Sequence, residues 1–177
     1  MKPDPKAEGS RWLRQAEHDL SDAEYSSAGS RYSLACFLCQ PAAGKALKAF
    51  PYARGAEQVL GHSVADLAEE CGKLAEDFRA LRARAAPLDH YYVPTRYPNS
   101  LPRGIPAEAF DASDARRALA LAGDVIRLVK AKLAATARPS FGPVCRSRRS
   151  PVRGSASASL DDMIRPGAGS RSPEPAV

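Results

Sequence analysis

The sequence predicts an all-α protein, an antiparallel bundle of four to five helices with a disordered C-terminal tail. Three observations carry that expectation. Hydrophobic residues make up 44% of the chain but aromatics only 7%, so the apolar content rests on Ala and Leu, strong helix formers that lose little side-chain entropy. Apolar residues return every three or four positions in several separate segments, which gathers them on one face of a helix. No segment alternates strictly between apolar and polar residues, as a half-buried strand would. At 177 residues the chain has room for one ordinary domain and a tail. The boundaries read as a flexible N-terminus over 1–9, a helical domain over 10–136 and a tail rich in Arg, Ser and Pro over 137–177.

The first helix is predicted from Ser10 to about Ser27. Trp12, Leu13, Ala16, Leu20, Ala23 and Tyr25 or Ser27 face inward, Ser10 is the N-cap, and Arg14, Glu17, Asp19, Asp22 and Glu24 face solvent. The second helix starts near Ser30 and is the most apolar segment, with Leu34, Ala35, Phe37, Leu38, Ala42, Ala43, Ala46, Leu47 and Phe50. Pro41 and Pro51 each oppose a helix interior by about 3 kcal/mol and Gly44 by about 1 kcal/mol. The segment is therefore either broken or kinked near Gln40 and finished by Phe50, or an altered form of a better helix former. A short helix follows from Val64 to about Cys71, capped at His62-Ser63. A longer one runs from Lys73 to Ala86 with Leu74, Phe78 and Leu81 inward, until Pro87 ends it. The four prolines and one glycine of PTRYPNSLPRGIP exclude regular structure. The last helix is capped at Asp111 or Ser113 and repeats Ala115, Leu119, Ala122, Val125, Ile126, Val129 and Leu133 up to about Thr136. Beyond Ala137 the composition cannot bury a core.

The formal charge of +6 suggests nucleic acid until it is divided along the chain. Residues 1–136 hold 19 Lys and Arg against 17 Asp and Glu, whereas residues 137–177 hold 7 Arg against 3 acids. A body at +2 gives no reason to expect wholesale phosphate binding. Arg146, Arg148, Arg149 and Arg153, interleaved with serines, leave RNA binding or phosphorylation open for the tail. No apolar run approaches the roughly 20 residues of a membrane span, and the start MKPDPKAEGS lacks the apolar core of a secretory signal. A soluble cytoplasmic chain with no membrane partner is expected. Cys36 and Cys39 have redox or zinc spacing, but no second pair accompanies them, so they read as buried thiols. With no metal-ligand set, glycine-rich phosphate loop or nucleophile elbow, no metal or other cofactor is expected.

The stretch LDHYYVPTRYPNSLP (88–102) concentrates His90, Tyr91, Tyr92 and Tyr97 beside Arg96 and the prolines. In a structural role the tyrosines wedge against the first and last helices and Arg96 caps helix carbonyls. In a functional role Arg96, Arg103 and Tyr97 line a cavity where guanidinium groups hold phosphate oxygens and an aromatic face takes a base. The two roles are compatible.

Four motifs in register resemble the HEPN domain (higher eukaryotes and prokaryotes nucleotide-binding) over roughly residues 9–136. They are Trp12-Leu13-x-Gln15-Ala16-x-x-Asp19-Leu20, then Cys36-Phe37-x-x-Gln40-x-Ala42-x-x-Lys45-Ala46-Leu47-Lys48-Ala49, then His62-Ser63-x-x-x-Leu67, and Arg96-Tyr97-Pro98. The run from Thr95 to Phe110 is similar to sacsin-type HEPN domains. The resemblance implies a helical bundle that forms homodimers and binds a nucleotide such as GTP or ATP weakly at a basic cavity, in association with chaperone-system proteins. The residues it implies for that cavity are Arg96, Tyr97, Arg103, Lys45 and Lys48. Many HEPN proteins are metal-independent ribonucleases with an Arg followed by His after four to six residues, and Arg84 with His90 meets that spacing. In such chemistry His90 is the general base and Arg84 holds the phosphate. Pro87 between the two favours the non-catalytic alternative, and a ligand-free protein-interaction domain is the third.

Overall fold

The computed structural model describes residues 4–137. The predictions made for 138–177, among them a disordered tail and its RNA binding, lie outside the described residues. Six helices follow one another: α1 (Pro5–Ala28), α2 (Tyr32–Tyr52), α3 (Val64–Gly72), α4 (Asp77–Ala85), the one-turn α5 (Pro106–Ala109) and α6 (Ala112–Ala137). Two 3₁₀ turns, Ala86–Tyr91 and Pro98–Ser100, lie between α4 and α5. No strand occurs among the described residues. α2 is the central element and packs against α1, α6 and α3, while α4 lies on α3 and α6.

The first helix begins earlier than its periodicity predicts. Asp4 is the cap, its carboxylate accepting the Ala7 N–H at 2.9 Å, and Pro5 occupies a position where a missing donor costs nothing. Residues 5–9 are thus helical rather than a flexible N-terminus, and Ser10 lies inside the helix. Gly9 is the reason this turn can dock. It is buried, and its lack of a side chain lets α1 approach Ala49 of α2 and Ala53, the residue that caps its end. Two assignments of facing also change. Tyr25 is 85% exposed and its neighbour Ser26 turns inward, donating to the Asp22 carbonyl at 2.7 Å. Asp19, expected in solvent, is buried and paired with Lys45 of α2.

α2 runs from Tyr32 to Tyr52 through both prolines, so neither a break near Gln40 nor an end at Phe50 occurs. Eleven of its residues are buried. Full burial of a side chain such as Leu47 or Phe50 contributes roughly 1.5–3 kcal/mol each, so the summed burial outweighs about 3 kcal/mol per proline. One backbone deficit is also repaired. Pro51 has no N–H for the Leu47 carbonyl, and the Cys71 thiol of α3 donates to that oxygen at 3.3 Å. Leu34, read as a core residue, lies on the outer face and is 46% exposed. Cys36, Cys39 and Cys71 are free and buried. Burial pushes each thiol up to about 12, so they pack as small apolar groups, as expected for the CFLC pair.

Gly44 needs no glycine. A Cβ there would meet only the Leu67 Cδ1 atom, at 3.8 Å, an ordinary contact. Gly44→Ala is expected to stabilise the protein by about 1 kcal/mol through helix propensity and the unfolded state, read as a higher urea midpoint with an unchanged slope. A lower midpoint would contradict this.

The helix predicted over Lys73–Ala86 is shorter, spanning only Asp77–Ala85. α3 ends at Gly72 and α4 starts at Asp77, so Leu74 falls in the connection and is 53% exposed instead of inward. Phe78 and Leu81 are buried as expected, Phe78 packing on Phe50 with ring centroids 4.6 Å apart. Helix α6 is capped by Asp111, whose carboxylate accepts the Ser113 and Asp114 N–H groups at 2.7 and 3.0 Å; Asp114 returns a bond from the Asp111 N–H at 3.1 Å. This reciprocal pair is a capping box. Among the described residues no helix is long and apolar enough to cross a membrane.

Candidate anion-binding site

Phe37, Gln40, Pro41, Gly44, Lys45 and Lys48 recur at intervals of one, three and four along α2, forming a stripe that the core does not cover. Trp12 from α1 and Gly61, His62, Leu67, Tyr92 and Arg96 from other elements close around it, enclosing a cavity of about 330 Å³. That is within the range of small-ligand sites. Gly44 and Gly61 leave room: Gly44 presents no side chain to the space, and Gly61 has φ +96°, a left-handed conformation that favours glycine.

The walls are held by specific contacts. Gln40 is buried and its amide donates to the His62 carbonyl at 2.6 Å and to Asp89 at 3.3 Å. His62 stacks on Tyr92 with centroids 5.9 Å apart. Trp12 stacks on Tyr52 at 5.1 Å and donates its indole N–H to Glu8 at 2.8 Å. Underneath lies Asp89. Its carboxylate accepts the Ser63 hydroxyl at 2.9 Å and the N–H groups of Val64 and Ala65 at 2.7 and 3.1 Å, while Ser63 accepts the Asp66 N–H at 3.1 Å. The free donors at the start of α3 are thereby satisfied by one carboxylate and one hydroxyl. Asp89 thus fixes α3, the His62 loop and Gln40 together.

Three cations reach the cavity, in different states. Lys45 is paired with Asp19, which also accepts from Gln15 at 2.7 Å, so its charge is neutralised locally. Lys48 pairs with no carboxylate among the described residues. Its ammonium lies 5.9 Å from the Trp12 ring centre, and burial lowers its pKa from the ordinary lysine value. Arg96 is likewise without an acid and lies over the rings of Phe37 and Tyr97, at 4.8 and 5.2 Å. Stacking orients the guanidinium while leaving its N–H edge available.

The structure therefore brings together Lys45, Lys48 and Arg96 from the expected set. Tyr97 is 49% exposed and braces Arg96 from outside, rather than packing as a wedge. Arg103 is exposed and does not line the cavity. Arg96 stacks on aromatic rings instead of capping helix carbonyls. Tyr91 does pack as a wedge, buried against Phe110 with centroids 6.0 Å apart. Arg84 is tied to Asp124 of α6, and no hydrogen bond joins it to the exposed His90. Trp12, Gln40, His62 and Tyr92 were not assigned to a ligand site from sequence, although the first three stand in the motifs that carry the family resemblance. Among the described residues no group of three or more His, Cys, Asp or Glu could hold a metal ion.

Comparison with known proteins agrees with this architecture. The HEPN domain model matches residues 10–132. TT1696 from Thermus thermophilus is 39% identical and superposes with a TM-score of 0.63, covering 70% of this chain and 97% of that one. ST0689, an archaeal HEPN homologue, is 34% identical with a TM-score of 0.59, covering 75% and 99%. A HEPN domain protein from Thermotoga maritima is 31% identical with a TM-score of 0.56, covering 70% and 98%. No curated protein matches the chain.

Proposed function

Because the chain belongs to the HEPN domain family, we propose that it is a non-catalytic nucleotide-binding and dimerisation module. The observation that carries this reading is the cavity in which Lys48 and Arg96, neither paired with an acid among the described residues, face a space walled by Trp12, His62 and Tyr92. Phosphate oxygens would take the guanidinium and ammonium groups, and a base would lie against an aromatic face. GTP and ATP both present this chemistry. The pairing of Arg84 with Asp124 supports the non-catalytic reading over a ribonuclease built on Arg84 and His90. The likeness of Thr95 to Phe110 to sacsin-type domains supports a place beside chaperone-system proteins.

Trp12 is the only tryptophan in the chain and lines the cavity, so its emission reports occupancy directly. Titration with GTP or ATP is expected to change Trp12 fluorescence. Lys48→Ala or Arg96→Ala should each weaken binding by roughly 1–3 kcal/mol, about 5- to 150-fold in Kd, with affinity falling as salt rises. Arg103→Ala should leave it unchanged. Gly44→Glu, which places a carboxylate in the cavity without a backbone clash, should abolish it. No binding of either nucleotide by the folded protein would overturn the reading. Metal-independent RNA cleavage that disappears in His90→Ala would replace it with the ribonuclease. Sedimentation equilibrium tests the homodimer.

A further inference from the structure

A second cavity, sharing no residue with the first, lies where the start of α1 meets the ends of α2 and α6. It measures about 310 Å³ and is lined by Lys6, Ser10, Leu13, Ala53, Arg54, Lys130, Leu133 and Ala134. Trp12 and Leu13 are adjacent on α1, about 100° apart around the helix, so one turn serves two separate spaces. The docking of Gly9 on Ala53 sets this one up, because it draws the first turns of α1 over the C-terminal end of α2.

The lining is of two kinds. Leu13, Ala53, Leu133 and Ala134 are aliphatic, and Lys6, Arg54 and Lys130 are cationic. Lys130 is already paired with Glu17 at 2.7 Å, but Lys6 and Arg54 have no carboxylate partner among the described residues. Arg54 is held in place: its guanidinium lies 3.5 Å from the centre of the Phe50 ring and donates to the Phe50 carbonyl at 3.3 Å. An oriented guanidinium beside an aliphatic hollow matches one kind of small molecule, a chain of methylenes ending in an anion. Residues 137–177, with seven arginines against three acids, have the wrong charge to be the occupant.

We propose that this cavity binds an amphipathic anion, with a single acyl chain on Leu13, Ala53, Leu133 and Ala134 and its carboxylate paired with Arg54 and Lys6. Decanoate is the probe, titrated calorimetrically into the full chain, with decanol as the uncharged counterpart. The expected result is one-to-one binding of decanoate, at least tenfold tighter than decanol. Arg54→Gln should erase that preference by weakening decanoate tenfold or more while leaving decanol unchanged. Lys6→Gln, an exposed position on α1, should reduce it in the same direction and does not depend on the Phe50 contacts. Ala134→Phe, which fills the cavity from an exposed position, should remove binding of both. No decanoate binding up to 1 mM (about −4.1 kcal/mol) would overturn the proposal. So would equal affinity for acid and alcohol, or binding that survives Ala134→Phe.

Discussion

Asp89→Ala is expected to destabilise the protein by about 2–4 kcal/mol. A hydrogen bond to a charged acceptor is worth about 1.5–3 kcal/mol and a helix cap about 0.5–2 kcal/mol. Asp89 accepts from Ser63, Val64, Ala65 and Gln40 at once. These bonds are not additive, since water reaches a half-buried site and partly replaces the lost acceptor. The carboxylate also sits where the aligned peptide dipoles of α3 favour negative charge. At roughly 3–5 °C per kcal/mol for a domain of this size, the midpoint should fall by about 10 °C. Asp89→Asn keeps one carbonyl oxygen and should cost less. Urea unfolding monitored by circular dichroism decides it, and a loss below about 0.5 kcal/mol for the alanine variant would show that the hub is not energetically important.

Gly9→Ala is expected to destabilise by about 1–3 kcal/mol, the scale of overpacking in a dense contact, although helix propensity alone favours alanine by about 1 kcal/mol. A Cβ on residue 9 would stand 2.5 Å from the Ala53 Cβ, 2.7 Å from the Ala49 carbonyl oxygen and 2.9 Å from the Ala53 Cα. Two of those three atoms are backbone at the C-terminal end of α2 and cannot swing aside. Relief requires moving the first turns of α1 off α2, which exposes apolar surface and opens the acyl cavity. The same substitution at Gly44 is expected to stabilise. Measured side by side, the two variants should therefore have opposite signs, and a stabilising Gly9→Ala would mean that α1 does not seat on α2 as described.

The candidate site was partly legible in the sequence. Arg96 could be singled out because an arginine amid tyrosines combines a phosphate-binding fork with aromatic faces, and it does reach the cavity. Lys45 and Lys48 came only through likeness to a family, because a lysine on a helix is ordinarily a solvated residue. What separates them is a carboxylate 26 residues from Lys45: Asp19 neutralises that lysine, while Lys48 has no acid partner among the described residues. Arg103 shares the composition of Arg96 but not its position. Composition reports which groups are available; which of them converge depends on the path of an irregular loop.

By itself the sequence determined the helical class, the approximate extent of α1, α3 and α6, and the burial of Cys36, Cys39 and Phe78. These follow from short-range rules, namely the 3.6-residue repeat of apolar side chains, caps such as Ser63 and Asp111, and the breaking effect of clustered prolines. Tertiary structure decided the rest. It carried α2 through Pro41 and Pro51, because burial between neighbouring helices outweighs a local deficit and a thiol from α3 supplies the donor that Pro51 lacks. It turned Asp19 inward and Leu34 and Tyr25 outward, and made Asp89 the acceptor for a helix 25 residues away. Local propensities amount to about 1 kcal/mol per residue, whereas a buried partner or a backbone clash is worth several times that, and such partners are identified only once the chain has folded.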